Sequence, residues 1–347
     1  MRPKSNTKSK NLYEKRFEHD SCGIGFTANI DRTRSHKIVQ DGIQMLVNLE
    51  HRGAVGGDQA TGDGAGLLME VPDKFFRSQL SSEINLPKEK DYAVGMVFCP
   101  QNEDFINKCK NMTRDITESE DAKFLGWRDV PTDASCLAGL AADTEPEIKQ
   151  FFIGCNGIEK EKFAKKLYVI RRQIEKEVSD FCKESEVFYI ASLSKKIIVY
   201  KGLLTGTQLP EYYTDLQNEK FQSAFTIIHQ RFSTNTLPTW HRAQPMRYIA
   251  HNGEINTLQG NINRMKAREA NFSSEQFGES IEKIKPIIDE SGSDSAMFDN
   301  VLEFFLQAGR IIPHVMMMMV PEAHSPDIQM SADKRAFYEY HSAIMEP

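Results

Sequence analysis

The segment Cys22-Gly23-Ile24-Gly25-Phe26-Thr27-Ala28-Asn29-Ile30 decides how this sequence is interpreted, because it places a cysteine at the start of an alternating apolar stretch. Such alternation predicts a β-strand that begins close to the thiol. Residues 1–21, which precede it, are polar and rich in Lys and Arg, and they lack the apolar core of a secretory signal. We therefore predict that residues 1–21 form a leader that is removed. A transit peptide is the alternative interpretation of this segment.

A cysteine in this position can act as a nucleophile only if a base deprotonates it. A free thiol has a pKa of about 8.5, so only a few per cent is thiolate at neutral pH. Cleavage between Ser21 and Cys22 would create an α-amino group with a pKa of roughly 8 on the nucleophile's own residue, which suits general-base catalysis near pH 7. Two alternatives remain open at this point. One is a buried structural thiol, and the other is a papain-like peptidase, for which the sequence has no matching His and Asn signature.

The composition of the 347-residue chain narrows the function classes. Its 40% hydrophobic and 27% charged residues are ordinary for a globular protein, and a net charge of −6 with interspersed signs gives no reason to expect nucleic-acid or membrane binding. No apolar run reaches the ~20 residues that span a bilayer. The six cysteines form no C-x-x-C pair, which argues against a zinc site and a disulfide framework. We expect a cytoplasmic protein without a metal site.

Hydrophobic periodicity predicts most of the remaining elements. Residues 36–51 and 163–181 have the apolar spacing of helices, and residues 291–295 have the pattern of a helix N-cap. Six glycines at 53–66 predict a tightly turning loop against which a backbone or ligand can lie. Strands are predicted at 67–71, 92–99, 187–193, 196–204, 224–232 and 248–250, with 187–193 and 196–204 forming a hairpin. Residues 74–220 show no special chemistry and are predicted to be scaffold or a long insertion.

Six short blocks of chemically suggestive residues follow one another along the chain. They are Cys-Gly-Ile-Gly-Phe at 22–26, Leu-Glu-His-Arg-Gly-Ala at 49–54, Thr-Gly-Asp-Gly-Ala-Gly at 61–66, His-Gln-Arg-Phe-Ser-Thr-Asn-Thr at 229–236, Ala-His-Asn-Gly-Glu-Ile-Asn at 250–256 and Ser-Asp-Ser at 293–295. In this order they closely resemble the class II glutamine amidotransferases, whose nucleophile is an N-terminal residue. Within that family they resemble the N-terminal region of the glutamate synthase large subunit, because 179 positions separate Arg52 from Arg231 and Met-Met-Val-Pro-Glu-Ala occurs at 318–323.

The resemblance implies the catalytic residues. Cys22 would attack the side-chain amide of glutamine and form a γ-glutamyl thioester with release of ammonia. The side chain of Asn252 and the backbone N–H of Gly253 would stabilise the tetrahedral oxyanion, and losing one such donor costs about 3–4 kcal/mol. From the residues alone, Asn252-Gly253 could equally be a simple turn.

The resemblance also implies the residues that bind the substrate. Arg231 would hold the α-carboxylate of glutamine with its planar guanidinium group, helped by Thr234. Asp294 would accept hydrogen bonds from the α-ammonium group. Arg52 either contacts the substrate or braces the glycine-rich loop. Taken singly, Arg231 could form an ordinary ion pair and Asp294 could cap a helix.

A fold and a domain organisation follow from the same resemblance. The expected fold class is α+β, a four-layer αββα N-terminal-nucleophile amidotransferase fold with antiparallel sheets. Residues 22–347 would form the glutamine amidotransferase domain after the 1–21 leader, with an insertion at about 74–220. The domain is expected to be incomplete at its C-terminal end.

The expected activity is hydrolysis of L-glutamine, with ammonia released for glutamate synthesis. Ammonia would reach 2-oxoglutarate in the remaining glutamate synthase domains, or in a subunit that supplies them. FMN and an iron–sulfur cluster are expected there, and no cofactor is expected in this chain. The alternative is a truncated, non-catalytic remnant or interaction module of glutamate synthase.

Overall fold

Two antiparallel β-sheets of four strands each face one another at the centre of the fold, and helices cover their outer faces. The computed structural model describes residues 22–53, 55–56, 61–80, 83–182, 187–231, 237–322 and 328–345. The predicted leader at 1–21 and Thr234 lie outside the described residues. Because helices pack on both sheets, the layers follow the order αββα. The predicted α+β fold class is confirmed.

The strand that begins beside Cys22 lies at one edge of the first sheet. In order across that sheet, the strands are β1 (Ile24–Ala28), β8 (Phe225–Gln230), β2 (Ala65–Glu70) and β7 (Ile197–Gly202). The second sheet contains β4 (Lys123–Asp129), β5 (Glu147–Gly154), β3 (Tyr92–Cys99) and β6 (Tyr189–Ser194). The strands predicted at 67–71, 92–99 and 224–232 are therefore confirmed, with shifts of a few residues at their ends.

Helices form the two outer layers and a further group beside them. The helix after β1 packs on the first sheet against β8 and β1, and the helices that follow β3 and β5 pack on the second sheet. In the described residues, the α-helices are α1 (His36–Asn48), α2 (Asp73–Leu80), α3 (Glu103–Ser119), α4 (Gly139–Asp143), α5 (Lys160–Ser179), α6 (Gln208–Tyr212), α7 (Leu258–Glu269), α8 (Asp294–Gln307), α9 (Ile312–Met319) and α10 (Ala332–Ser342). The helices predicted at 36–51 and 163–181 correspond to α1 and α5.

Strand β3 shows how the sequence produces two hydrophobic interfaces from one strand. Val94, Met96 and Phe98 alternate onto the face between the two sheets, where they join a cluster that contains residues of β2 and β7. Val97 and Cys99 alternate onto the other face and pack with residues of α3 and α5. Successive side chains of a strand point to opposite faces, so an uninterrupted apolar strand is expected where both faces are covered. Burying a side chain of this size stabilises the fold by about 1.5–3 kcal/mol.

The hairpin predicted from 187–193 and 196–204 is wrong. These segments become β6 and β7, which belong to different sheets and pair with β3 and β2 respectively. The hydroxyl of Ser194 accepts hydrogen bonds from the backbone N–H groups of Lys196 and Ile197, at 3.0 and 3.3 Å, where the chain passes from one sheet to the other. Ile190 and Val199 have no exposed surface. Both strands are therefore buried, and their backbone hydrogen bonds go to β3 and β2 instead of to each other.

Residues 74–220 provide all four strands of the second sheet and strand β7 of the first. The prediction of scaffold fits this arrangement, since five of the eight strands in the two sheets come from this segment. Its origin as an insertion stays a prediction. Removing it would expose the apolar face of the first sheet, so the segment is required for the core.

The short strand predicted at 248–250 does not form. Instead, the carboxylate of Asp299 in α8 accepts hydrogen bonds from three consecutive backbone N–H groups, those of Arg247, Tyr248 and Ile249, at 3.3, 2.7 and 3.1 Å. Asp299 is fully buried. The backbone donors that a neighbouring strand would satisfy are thus satisfied by one side chain. This anchors the loop that leads to Asn252.

None of the helices within the described ranges has the length and apolar character needed to cross a membrane. No group of three or more His, Cys, Asp and Glu side chains in these ranges is arranged to hold a metal ion.

Candidate active site

Cys22 is exposed and lies two residues before the first residue of β1, at one end of the first sheet. The pairing of Ile24 with His229 continues beyond the strand, because the backbone N–H of Gln230 donates to the carbonyl of Gly23 at 2.7 Å. The chain around the thiol is therefore fixed by β8. In the described part of the chain, the hydrogen-bond partners of the Cys22 sulfur are the carbonyl of Ile24 and the side chain of Asn252, each at 3.4 Å.

Gly23 is required by the close approach of two segments. A Cβ atom at this position would lie 2.8 Å from the carbonyl oxygen of Gln230 and 3.4 Å from Oδ1 of Asn252. The first distance is too short for a side chain, and the blocking atom belongs to the backbone. Gly23 thus lets the nucleophile's strand lie against both β8 and the segment that contains Asn252.

Asn252 and Gly253 lie on an exposed segment opposite the thiol. The Nδ2 of Asn252 donates to the Cys22 sulfur at 3.4 Å, and open space surrounds Gly253 on the side where a Cβ would lie. An amide donor beside an exposed sulfur is the arrangement that an oxyanion hole needs, because the oxyanion forms on the carbon that the sulfur attacks. The structure thus brings Asn252 to Cys22; the donor role of Gly253 stays a prediction.

The segment of Asn252 is attached to the first sheet by a buried histidine. The Nε2 of His229 in β8 lies 2.9 Å from the carbonyl oxygen of His251, and His229 is 1% exposed. Burial lowers the pKa of His229, so its neutral form is favoured and Nε2 carries the proton donated to that carbonyl. The residue next to Asn252 is thereby held to the strand that pairs with β1.

Arg231 follows β8 immediately, and 47% of its side chain is exposed. Its Nε lies 3.9 Å from Oδ2 of Asp63, a buried carboxylate in the block at 61–66. The φ angle of Arg231 is +149°, which non-glycine residues rarely adopt and which indicates backbone strain at the end of the strand. The contact with Asp63 is too long for a hydrogen bond, so nearly half of the Arg231 side chain stays exposed beside a buried carboxylate.

Arg52 lies at the end of a 3₁₀-helix, Glu50–Arg52. A Cβ on the next residue, Gly53, would lie 2.7 Å from Nε2 of Gln230 and 3.2 Å from Oδ1 of Asp63, so the missing side chain lets both groups pack closely here. The Nε of Arg52 is buried and has no hydrogen-bond partner within the described residues. Contact between Arg52 and the substrate stays a prediction.

Asp294 is buried at the first turn of α8. The cap is the preceding residue, Ser293, whose hydroxyl accepts from the N–H of Ala296 at 3.2 Å, as the sequence predicts for this segment. The Oδ1 of Asp294 accepts from the N–H of Ser295 at 2.6 Å, and the Ser295 hydroxyl lies 2.7 Å from Nε2 of His251. The block at 293–295 is therefore joined to the block at 250–256.

Several contacts of this site were not predicted from the sequence. Five residues with contacts here lie inside the six blocks, but the sequence predicts no individual role for them. They are Asp63, His229, Gln230, His251 and Ser295. Their positions in the six blocks were the available signal. Thr234, the remaining predicted substrate residue, lies outside the described residues.

The blocks therefore converge on one region that has an exposed thiol, an amide donor, a half-exposed cation and a buried carboxylate. Comparison with known proteins agrees with this arrangement: the family model described as glutamine amidotransferases class-II matches residues 22–347. The chain belongs to the class II glutamine amidotransferases. The matched region of this amidotransferase begins at Cys22.

Among proteins with this domain, the chain is similar to the glutamate synthases. The chain is 50% identical over 342 residues to the large chain of NADPH-type glutamate synthase from Bacillus subtilis, covering 98% of this chain and 22% of the relative. It is 43% identical to NADH-type glutamate synthase of Saccharomyces cerevisiae, covering 97% of this chain and 16% of the relative. For the ferredoxin-dependent enzyme of Pyropia yezoensis the identity is 37%, over 98% of this chain and 22% of the relative. The chain spans about a fifth of the length of these relatives.

Proposed function

We propose that this amidotransferase domain hydrolyses L-glutamine with the sulfur of Cys22 as nucleophile. The thiolate attacks the side-chain carbonyl carbon, the C–N bond breaks, and the nitrogen leaves as ammonia after gaining a proton. Water then attacks the γ-glutamyl thioester, which releases glutamate and restores the thiol. The observation that supports this step is the 3.4 Å contact between Nδ2 of Asn252 and the Cys22 sulfur, since an amide donor at this place can stabilise the oxyanion.

The base in this proposal is the α-amino group of Cys22. Removal of residues 1–21 would free that amine, which could take the thiol proton and pass it to the leaving nitrogen. Two observations support the amine. The family match begins at Cys22, and the partners of the sulfur among the described residues are a carbonyl and an amide rather than a histidine.

The two ends of the amino acid substrate would be bound by groups of opposite charge. The exposed guanidinium group of Arg231 suits the α-carboxylate, and the carboxylate of Asp294 suits the α-ammonium group. Thr234 would assist Arg231, and Gly253 would provide a second oxyanion donor. Arg52 precedes Gly53, which packs against Asp63, and from there its guanidinium group would add to the positive potential around the α-carboxylate.

We further propose that the ammonia is used for glutamate synthesis. The relatives are named glutamate synthases, and this chain matches only about a fifth of their length. Amination of 2-oxoglutarate would then belong to a synthase unit that carries FMN and an iron–sulfur cluster and receives ammonia from this domain.

The test measures ammonia and glutamate released from L-glutamine by the purified chain, together with its intact mass. Equal amounts of the two products, and a mass that begins at Cys22, are expected. Activity from a chain whose mass still includes Met1 would contradict the amine as base. A chain that begins at Cys22 and releases no ammonia would instead favour a non-catalytic remnant.

A further inference from the structure

His251, the residue before Asn252, is held by three buried side chains from three parts of the chain. Its backbone N–H donates to Oε1 of Gln244 at 3.0 Å, and its carbonyl accepts from Nε2 of His229 at 2.9 Å. Its ring nitrogen Nε2 lies 2.7 Å from the hydroxyl of Ser295. Each of the three partners is at most 2% exposed. A residue fixed at its N–H, its carbonyl and its side chain leaves its neighbour little freedom of orientation.

Ser295 connects this clamp to the carboxylate of Asp294. Its backbone N–H donates to Oδ1 of Asp294 at 2.6 Å, and its hydroxyl lies 3.2 Å from the same oxygen. When the hydroxyl donates to Asp294, it accepts a hydrogen bond from the N–H at Nε2 of His251; when it donates to Nε2 of His251, it faces Asp294 with a lone pair. A cation that bonds to the Asp294 carboxylate competes with the hydroxyl for Oδ1, which weakens the first arrangement relative to the second.

We propose that Ser295 and His251 are positioning residues that couple binding of the substrate ammonium group at Asp294 to the orientation of the oxyanion donor Asn252. An ammonium group bound at Asp294 draws the carboxylate towards the substrate. This favours the orientation in which the Ser295 hydroxyl donates to Nε2 of His251. That orientation fixes the ring of His251 and with it the peptide that precedes Asn252. The inference rests on the proposed function, because it assigns the ammonium group to Asp294.

Coupling of this kind favours the transition state over simple binding. A donor that is oriented before the oxyanion forms costs no reorganisation during the reaction, so its effect appears in kcat. Ser295 and His251 contribute no atom to the reacting centre, and neither is proposed to exchange a proton with the substrate. Their predicted effect is confined to how well Asn252 is oriented when the ammonium site is filled.

The experiment compares Ser295→Ala with the wild-type chain on two substrates, L-glutamine and glutaramate, which is glutamine without its α-ammonium group. In the wild-type chain, kcat should be much higher for glutamine than for glutaramate. In S295A this ratio should fall by roughly tenfold, because the bound ammonium group can no longer act on Asn252. A residue with a merely structural role would lower both kcat values equally and leave the ratio unchanged. An unchanged ratio would overturn the inference.

Two further variants keep the test decisive. His251→Gln retains an amide nitrogen that can reach the Ser295 hydroxyl, whereas His251→Ala does not, so H251Q should retain more of the glutamine preference than H251A. This pair answers the question if S295A fails to fold.

Ser291→Ala is the matched control, since Ser291 is exposed in the same segment and its hydroxyl bonds to Asp289. The ratio of kcat values in S291A should equal the wild-type ratio. If the wild-type chain does not turn over glutamine, the proposed function fails and this inference fails with it. If only the ratio in S295A stays unchanged, the proposed function stands.

Discussion

The Nδ2 atom of Asn252 lies 3.4 Å from the sulfur of Cys22, although 230 positions separate the two residues in the chain. The pairing of β1 with β8 holds the sulfur, and the clamp on His251 holds the amide. The contact therefore depends on both the first sheet and the loop that crosses its end. This relationship makes Asn252 the first residue to test.

Asn252→Ala should lower kcat for glutamine hydrolysis by roughly 10²–10³-fold with a smaller change in KM, because an oxyanion donor acts mainly in the transition state. Steady-state release of ammonia measures both constants. Asn263→Ala is the control, since Asn263 is exposed in α7 and bonds only to Gln259 among the described residues. Equal kcat values for N252A and the wild-type chain would contradict the oxyanion role.

Cys22 should be the thiol that iodoacetamide modifies first in the folded protein. It is exposed, whereas Cys99 and Cys109 are buried, and burial raises the pKa of Cys109 to about 12. Alkylation requires an accessible thiolate, so the buried thiols should react far more slowly. Peptide mass spectrometry after a short reaction at pH 8 measures the order. Cys22→Ala should lose the fast-reacting site and the glutaminase activity while the protein stays folded. Modification of Cys109 at the rate of Cys22 would show that this prediction is wrong.

Arg231→Lys and Asp294→Asn should each raise KM for glutamine by roughly 10–100-fold, because each removes a charged hydrogen bond worth about 1.5–3 kcal/mol. The two changes should differ on glutaramate. D294N should bind this analogue about as well as the wild-type chain does, since the ammonium group is absent, whereas R231K should still bind it poorly. Asp333→Asn, at an exposed position of α10, is the control. Equal losses on glutaramate would contradict the assignment of the two ends.

The sequence predicted those parts of the structure whose signal is local. The alternation after Cys22, the apolar run at 92–99 and the capping serine before α8 all describe short segments, and the structure contains them as β1, β3 and Ser293. The six blocks, taken as a set, resemble the class II glutamine amidotransferases, and that resemblance predicted the site. Cys22 and Asn252 were assigned from that set, and they are in contact.

The predictions that were wrong concern segments whose hydrogen-bond partners are distant in sequence. The segment at 248–250 has strand-like residues, but Asp299 satisfies its backbone donors from α8, so no strand pairs there. The segments that became β6 and β7 have the pattern of a hairpin, yet each pairs with a strand more than ninety positions away, and the two lie in different sheets. The clamp on His251 was missed for the same reason, since Gln244, His229 and Ser295 meet only after the sheet and α8 are in place.

Acidification should destabilise the protein through His241. Burial, with contributions from Lys201 and Arg242, lowers the pKa of His241 from its usual 6.5 to about 4. The unfolded chain therefore binds a proton below pH 6.5 that the folded protein accepts only near pH 4, so the stabilising difference is fully present above pH 6.5 and is lost as the pH falls towards 4. Between pH 7 and pH 5 this amounts to roughly 2 kcal/mol of the free energy of unfolding.

Urea unfolding of the wild-type chain and of His241→Gln at both pH values measures this contribution. H241Q should lose less stability on acidification than the wild-type chain, by roughly 2 kcal/mol. Burial also lowers the pKa of His229, which remains in the variant, so some dependence on pH should persist. Identical losses in the two proteins would exclude His241 as the source.

Replacing Glu303 in α8 with an uncharged residue should weaken the link between α5, α8 and the loop that begins at Arg247. Its Oε2 accepts from Nη2 of Arg171 in α5 at 2.5 Å and from Nε of Arg247 at 3.2 Å, and all three side chains are at most 7% exposed. Glu303→Gln leaves two buried guanidinium groups without this charge, so the free energy of unfolding should fall by about 3–5 kcal/mol.

Asp41→Asn is the matched control, because it breaks an exposed pair with Lys37 in α1 that is worth less than about 0.5 kcal/mol. Because Arg247 begins the loop that leads to Asn252, E303Q should also lower glutaminase activity at temperatures where the variant is still folded. A loss of stability similar to that of D41N would show that the cluster is not the link between α5, α8 and the active-site loop.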